Sequence, residues 1–149
     1  MHKSAEVLNS LITINNDRIQ GYETALDETK DADLKSLFSK FIQTSVSAKK
    51  ELEAEVVKLG EKPVDGTRLD GKIYRLWMDF KAAVTGKDRE AILNSCEYGE
   101  DVALQSYEDA LDEEHLDTTY KTLIESQRDK IQKDHDQVNS MLVAYHNEN

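Results

Sequence analysis

The chain has 149 residues, 33% of them charged and 38% hydrophobic, with six glycines and one proline. That length suits a single domain, 1–149, with a core that needs no disulfide or structural metal, and so few turn residues exclude an all-β sandwich. A formal net charge of -11, with lysines and arginines interspersed among acids, argues against nucleic acid and against anionic membranes as partners.

No run reaches the ~18 apolar residues of a membrane span. The opening MHKSAEVLNSLITINN lacks the apolar stretch and cleavage site of a signal peptide. A single cysteine, Cys96, allows no intrachain disulfide and fits a reducing compartment. A cytoplasmic protein is the expectation.

In chain order, Leu8, Leu11, Ile19, Tyr22 and Leu26 recur at helical steps and predict a helix over 4–29. Asp31 is an N-cap candidate for a second helix, 32–59, with Leu34, Phe38, Phe41, Leu52, Val56 and Leu59 on its stripe. Gly60 follows as a C-cap. A crossover, 60–87, begins as loop and becomes a short helix from Lys72 to Thr85, with Ile73, Leu76, Trp77, Phe80 and Val84 on one face; Gly86 is a second C-cap candidate. The third long helix, 88–113, carries Leu93, Cys96, Leu104, Tyr107 and Leu111. After the Asp117-Thr118 cap the fourth, 117–146, carries Tyr120, Ile124, Ile131, Val138, Leu142 and Tyr145.

The chain repeats itself. GYETALDE (21–28) returns as SYEDALDE (106–113), so Tyr22 matches Tyr107 at an offset of 85 residues. After one inserted residue Leu37 matches Leu123, Phe38 matches Ile124 and Leu52 matches Val138. A helical hairpin is used twice, 4–59 and 88–146. Two hairpins joined by one long connection form an all-α, ferritin-like four-helix bundle. If the halves pack as twofold mates, the acidic turns LDETKDAD and LDEEHLD fall at one end.

The stripes of large apolar residues are interrupted on all four helices near midbundle: at Asn15; at Ser45 and Ala48 with Lys49 beside them; at Glu100; and at Asp134 with His135. The duplicated hairpin, the crossover, and Tyr107 seven residues after Glu100 resemble the ferritin-like di-iron superfamily. Within it, EYGEDVALQSYEDAL together with LWMDFKAAVTGKD is similar to an uncharacterised bacterial four-helix-bundle family known only as a domain of unknown function. That resemblance spans nearly the whole chain and implies a fold without an activity.

The superfamily implies a Glu from each of two helices and Glu-x-x-His from each of the other two, a set whose carboxylates neutralise two iron ions. Carried over, Glu100 and His135 fit a Glu and a His. Gln132 and Asn15 stand where carboxylates belong, and Val46 and Lys49 stand where the second-helix Glu and His belong. Two ligands of six survive, and a Lys49 ammonium in the layer can pair with Glu100 or reach out to solvent.

Two readings of this layer follow: a hydrogen-bonded network that fixes helix register, and a single metal ion held by Glu100 and His135 with help from Glu97 and from Asp101 or Asp17. The metal candidates are thus Glu100, His135, Glu97, Gln132 and Asn15. His2, His115 and His146 read as solvated, Cys96 as a small core residue, Tyr22 and Tyr107 as core aromatics, and Trp77 with Phe80 as the anchor of the crossover helix. No phosphate loop, serine elbow, CxxC or HExxH motif occurs. The functional expectation is a non-enzymatic binding or stress-associated scaffold, a homodimer with no cofactor. The alternative is a metal-binding protein using iron or manganese, of which a di-iron oxidase or iron store is the version the missing ligands argue against.

Overall fold

The computed structural model describes residues 2–66, 71–86 and 88–148, without the side chains of His2 and of 71–74. The expectations for the His2 and Ile73 side chains therefore lie outside the described residues. What is described is all-α: α1 (His2–Glu28), α2 (Ala32–Lys58), α3 (Gly71–Gly86), α4 (Arg89–Leu111) and α5 (Thr118–Glu148). Periodicity alone located all five to within a few residues.

The helix ends have local causes. Gly60 has φ 78°, and its N–H donates to Val57 O at 2.9 Å while Glu61 N–H donates to Val56 O at 3.2 Å. This paired Schellman closure needs a left-handed residue, which glycine adopts without strain. Asp88 caps α4 by accepting from Ala91 N–H at 3.2 Å, and Asp117 accepts from Thr119 N–H at 2.9 Å. Two expected caps differ. The Asp31 side chain makes no cap bond; Asp33 instead accepts from Leu34 N–H at 2.9 Å. Gly86 is the last residue of α3, and Gly60 is the one glycine of positive φ among the described residues.

Side-chain pairs fix the directions of the helices. Arg18 meets Glu100, and nearer the helix ends Lys3 meets Glu113, so α1 and α4 are antiparallel. Lys40 meets Gln137 and Ala48 meets Gln127, so α2 and α5 are antiparallel too. His146 against Glu90 gives the same sense for α4 and α5. The Arg89–Asp33 pair joins the N-termini of α4 and α2, which therefore run parallel and need a crossover along the bundle. It follows that the two acidic hairpin turns lie at opposite ends. The expectation of one acidic end is corrected, because the repeat-related hairpins pack head to tail.

Two apolar clusters fill the interior. One is built around Leu8, Leu11, Leu52, Val56, Tyr107 and Ile124. The other holds Tyr22, Phe38, Phe41, Phe80, Leu93 and Val138. Burying each such side chain contributes roughly 1.5–3 kcal/mol. In the second cluster Tyr22 lies edge-on to Phe41, Trp77 and Phe80, with centroids 5.1, 5.9 and 5.6 Å away. Trp77 and Phe80 thus anchor α3, as expected. The repeat explains where α3 sits: a Cβ on Gly21 would come within 2.3 Å of the Trp77 ring, whereas its repeat mate, Ser106, carries a side chain. The first of the two letters that differ between the motifs is the notch that admits the tryptophan.

Candidate functional site in the midbundle polar layer

Between the apolar clusters lies a buried polar layer, and the residue at its centre is Arg18. α1 presents it three residues after Asn15 and four before Tyr22, on the inward stripe; the neighbouring Ile19 is only half-buried. Arg18 is 2% exposed and Glu100 0%, so neither charge reaches water. The guanidinium grips Glu100 with two bonds, Nε to Oε2 at 2.9 Å and Nη2 to Oε1 at 2.5 Å. Nη2 also donates to Asp134 Oδ2 at 3.2 Å, and Nη1 to Ser45 Oγ at 2.6 Å. Tyr22 OH donates to Glu100 Oε1 at 3.2 Å. The rings of Tyr22 and Phe41 flank the guanidinium, with its carbon 5.6 and 5.8 Å from their centroids. All four long helices contribute to one bidentate, charge-assisted knot.

A second polar cluster is neutral apart from the exposed Glu51 carboxylate at its edge. Asn15 Nδ2 donates to Leu11 O at 2.8 Å and to Tyr107 OH at 2.9 Å. Tyr107 OH donates to Gln127 Oε1 at 2.7 Å, and Gln127 Nε2 donates to Ala48 O at 3.1 Å and Glu51 Oε1 at 3.2 Å. Asn15 and Glu100 are separated by the repeat offset of 85 residues, as are Tyr22 and Tyr107. The contact Asn15–Tyr107 is therefore the repeat mate of Glu100–Tyr22, once as an amide and once as a carboxylate.

Electrostatics follow from burial. Desolvation raises the Glu100 carboxyl above its ordinary range, with Asp134 adding to the effect and Arg18 opposing it. Asp134 is raised by burial as well, against the pull of Arg18. For Arg18 burial is the largest single influence and acts downward, but Glu100, Tyr22 and Asp134 together outweigh it and the net shift is upward, so the guanidinium stays charged. Burial lifts Tyr22, Tyr107 and the Cys96 thiol. Cys96 is held as a thiol and Tyr22 as a phenol, which makes neither a nucleophile. The cavity between Arg18 and Trp77 measures about 10 Å³, the room of one water at most and far below that of a substrate pocket.

The residues singled out from the sequence divide. Glu100 and Asn15 belong to the layer. His135 lies outside it, its Nε2 2.9 Å from Asp101 and its Nδ1 3.5 Å from Asp136. Gln132 is exposed and donates to Asp136 at 3.0 Å. Glu97 is half-buried. The pairing open to Lys49 is not made: Lys49 is half-buried and forms no ion pair with Glu100, whose charge is met by Arg18. The inward residue on α5 is Asp134 rather than His135, and on α2 the inward pair is Ser45 and Ala48 rather than Val46 and Lys49. Among the described residues no three His, Cys, Asp or Glu side chains converge as a metal-ion site. Arg18 and Gln127 escaped the sequence reading, although each is a polar residue at a stripe position, Gln127 falling between Ile124 and Ile131.

Fold and site together define an all-helical bundle protein whose interior is closed by a buried ion network. The chain belongs to the family described as Domain of unknown function (DUF2383), which matches residues 3–113. No curated protein matches it in sequence. No described helix is long and apolar enough to cross a membrane.

Proposed function

We propose that the chain is a ferritin-like four-helix bundle, built from a duplicated hairpin, that has exchanged a metal pair for an internal salt bridge and works through its surface as a non-enzymatic binding scaffold. The observation that carries this reading is the Arg18 guanidinium at the centre of the polar layer, bonded to Glu100 and Asp134. On this reading the six ligand positions of the superfamily are Asn15, Glu100, Ser45 with Ala48, and Ile131 with Asp134. Four of them offer no carboxylate or imidazole.

The two carboxylates that remain do not fit a two-metal centre. Both spend their charge on a resident cation that occupies the space between the helices, and a divalent ion would have to expel it into an apolar core. A single ion on Glu100 and His135 fits no better, because Glu100 faces Arg18 while His135 pairs with the exposed Asp101. Among the described residues the cavity beside Arg18 measures about 10 Å³, too small for a substrate, and this supports a role on the outside of the bundle.

The test is the metal content of untagged protein before and after incubation with Fe(II) and Mn(II), followed by desalting. The expected result is no retained metal. About two ions per chain would overturn the reading in favour of a di-iron or di-manganese protein, and one per chain would point to a single site.

A further inference from the structure

The repeat that builds the bundle also builds a second helix seat, and among the described residues α3 fills only one of the two. α3 rests across α1 and α4, with Trp77 on Gly21 and Leu76 and Trp77 over Gly99. Moved by the 85-residue offset, Gly21 becomes Ser106 and Gly99 becomes Ile14. Those two residues line a groove of about 430 Å³ between the opposite halves of the same helices, together with Ser10, Thr13, Asp109 and Glu113. The groove is thus the repeat mate of the α3 seat.

Two features define what fits it. Ser106 and Ile14 fill the notch that glycines leave open under Trp77, so the occupant cannot present a large ring there and must meet them with small side chains. The charge is also one-sided. α1 and α4 carry eleven Asp and Glu against three Lys and Arg, while α2 and α5 carry nine against nine. α3, the helix already seated on this acidic face, carries three basic residues against one acid. At the groove's rim Asp109 is exposed, and Glu113 is half-buried and paired with the exposed Lys3 at 3.6 Å.

We propose that the α1–α4 groove docks an amphipathic helix of a partner protein, one with alanine or serine facing Ser106 and Ile14 and with lysine or arginine along its flanks. Complementary charge would steer it and fix its sense, and the helix-in-groove geometry repeats what α3 does within the chain. The proposal rests on the reading that the protein acts through its surface; because binding is measured on protein already shown to be metal-free, the two can fail separately.

The experiment uses the full chain at physiological ionic strength and two labelled synthetic helices of equal length. Both have an alanine face; one has lysine flanks and the other glutamate flanks. Fluorescence anisotropy is expected to show binding of the lysine helix alone. Asp109→Lys with Glu113→Lys is expected to weaken it about tenfold or more. Ser106→Tyr, which fills the groove without changing charge, is expected to weaken it as much. Glu53→Lys with Glu125→Lys makes the same change in net charge on α2 and α5, and is expected to leave binding within about twofold. Melting curves and Trp77 fluorescence confirm that each variant folds. Equal weakening by both charge-reversed pairs would show general attraction to an acidic protein and overturn the proposal, as would no binding to the wild type or indifference to Ser106→Tyr.

Discussion

The two polar clusters in the core occupy repeat-related places and are solved with different chemistry. Around Tyr107 the partners are Asn15 and Gln127, all neutral, so each buried group needs only a hydrogen bond. Around Tyr22 the residue equivalent to Asn15 is Glu100, and its charge demands a cation; Arg18 supplies it. The repeat mate of Arg18 is Ala103, so the neutral half has no counterpart to the arginine. Two differences between the halves, Glu100 for Asn15 and Arg18 for Ala103, thus carry the ion pair. It makes the halves unequal in cost: a neutral cluster loses a hydrogen bond when one member is removed, whereas a charged cluster is left with a bare buried ion.

The largest effect expected from this contrast is at Arg18. Arg18→Leu strands Glu100 and Asp134 and should destabilise the fold by about 3–5 kcal/mol in urea denaturation. On the neutral side, Tyr107→Phe removes a hydroxyl that both accepts from Asn15 and donates to Gln127, for an expected loss of about 1–3 kcal/mol. Tyr22→Phe gives up one longer bond and should cost less than Tyr107→Phe. The Gly21 and Ser106 pair sharpens the comparison outside the core. Gly21→Ala forces Trp77 off its seat and should cost about 1–3 kcal/mol, with a shift in tryptophan emission. Ser106→Ala should change little.

The halves should also separate with pH. Glu100 and Asp134 have raised folded-state pKa values. Their favourable contribution is therefore complete below the ordinary carboxylate range and is lost as pH rises through the folded values. Asp134→Asn, which removes one of the two charges, should flatten that loss in stability measured from mildly acid to neutral pH, and Asn15→Ala should leave its slope unchanged. The smallest expected effect is at Lys49. Since Arg18 and not Lys49 pairs with Glu100, Lys49→Ala should stay within about 0.5 kcal/mol of the wild type.

What was legible in the sequence follows the same division. Helix number, helix extent, the Schellman glycine and the anchoring of the crossover by Trp77 and Phe80 all come from periodicity and backbone chemistry, which are local. The polar layer was legible as a level in the bundle and misread in its azimuth. Adjacent residues on a helix point about 100° apart, so Ile19 and Arg18 compete for one stripe position, as do His135 and Asp134. Choosing the apolar residue of the first pair hid the arginine, and choosing the familiar ligand of the second placed a histidine in the core that lies near the surface. Helix direction was beyond local pattern altogether. The acidic turns were assigned to one end because nothing in either hairpin says which way its partner runs; long-range pairs such as Arg89–Asp33 decide that.

The most direct test of the central claim, that a buried Arg18–Glu100 pair closes the interior, is a double-mutant cycle on stability with Arg18→Leu, Glu100→Leu and the two combined. The account predicts that each single change is strongly destabilising and that the double variant recovers much of the loss, with a coupling above about 2 kcal/mol. Additive losses, with a coupling within about 0.5 kcal/mol of zero, would contradict it and return both side chains to independent partners.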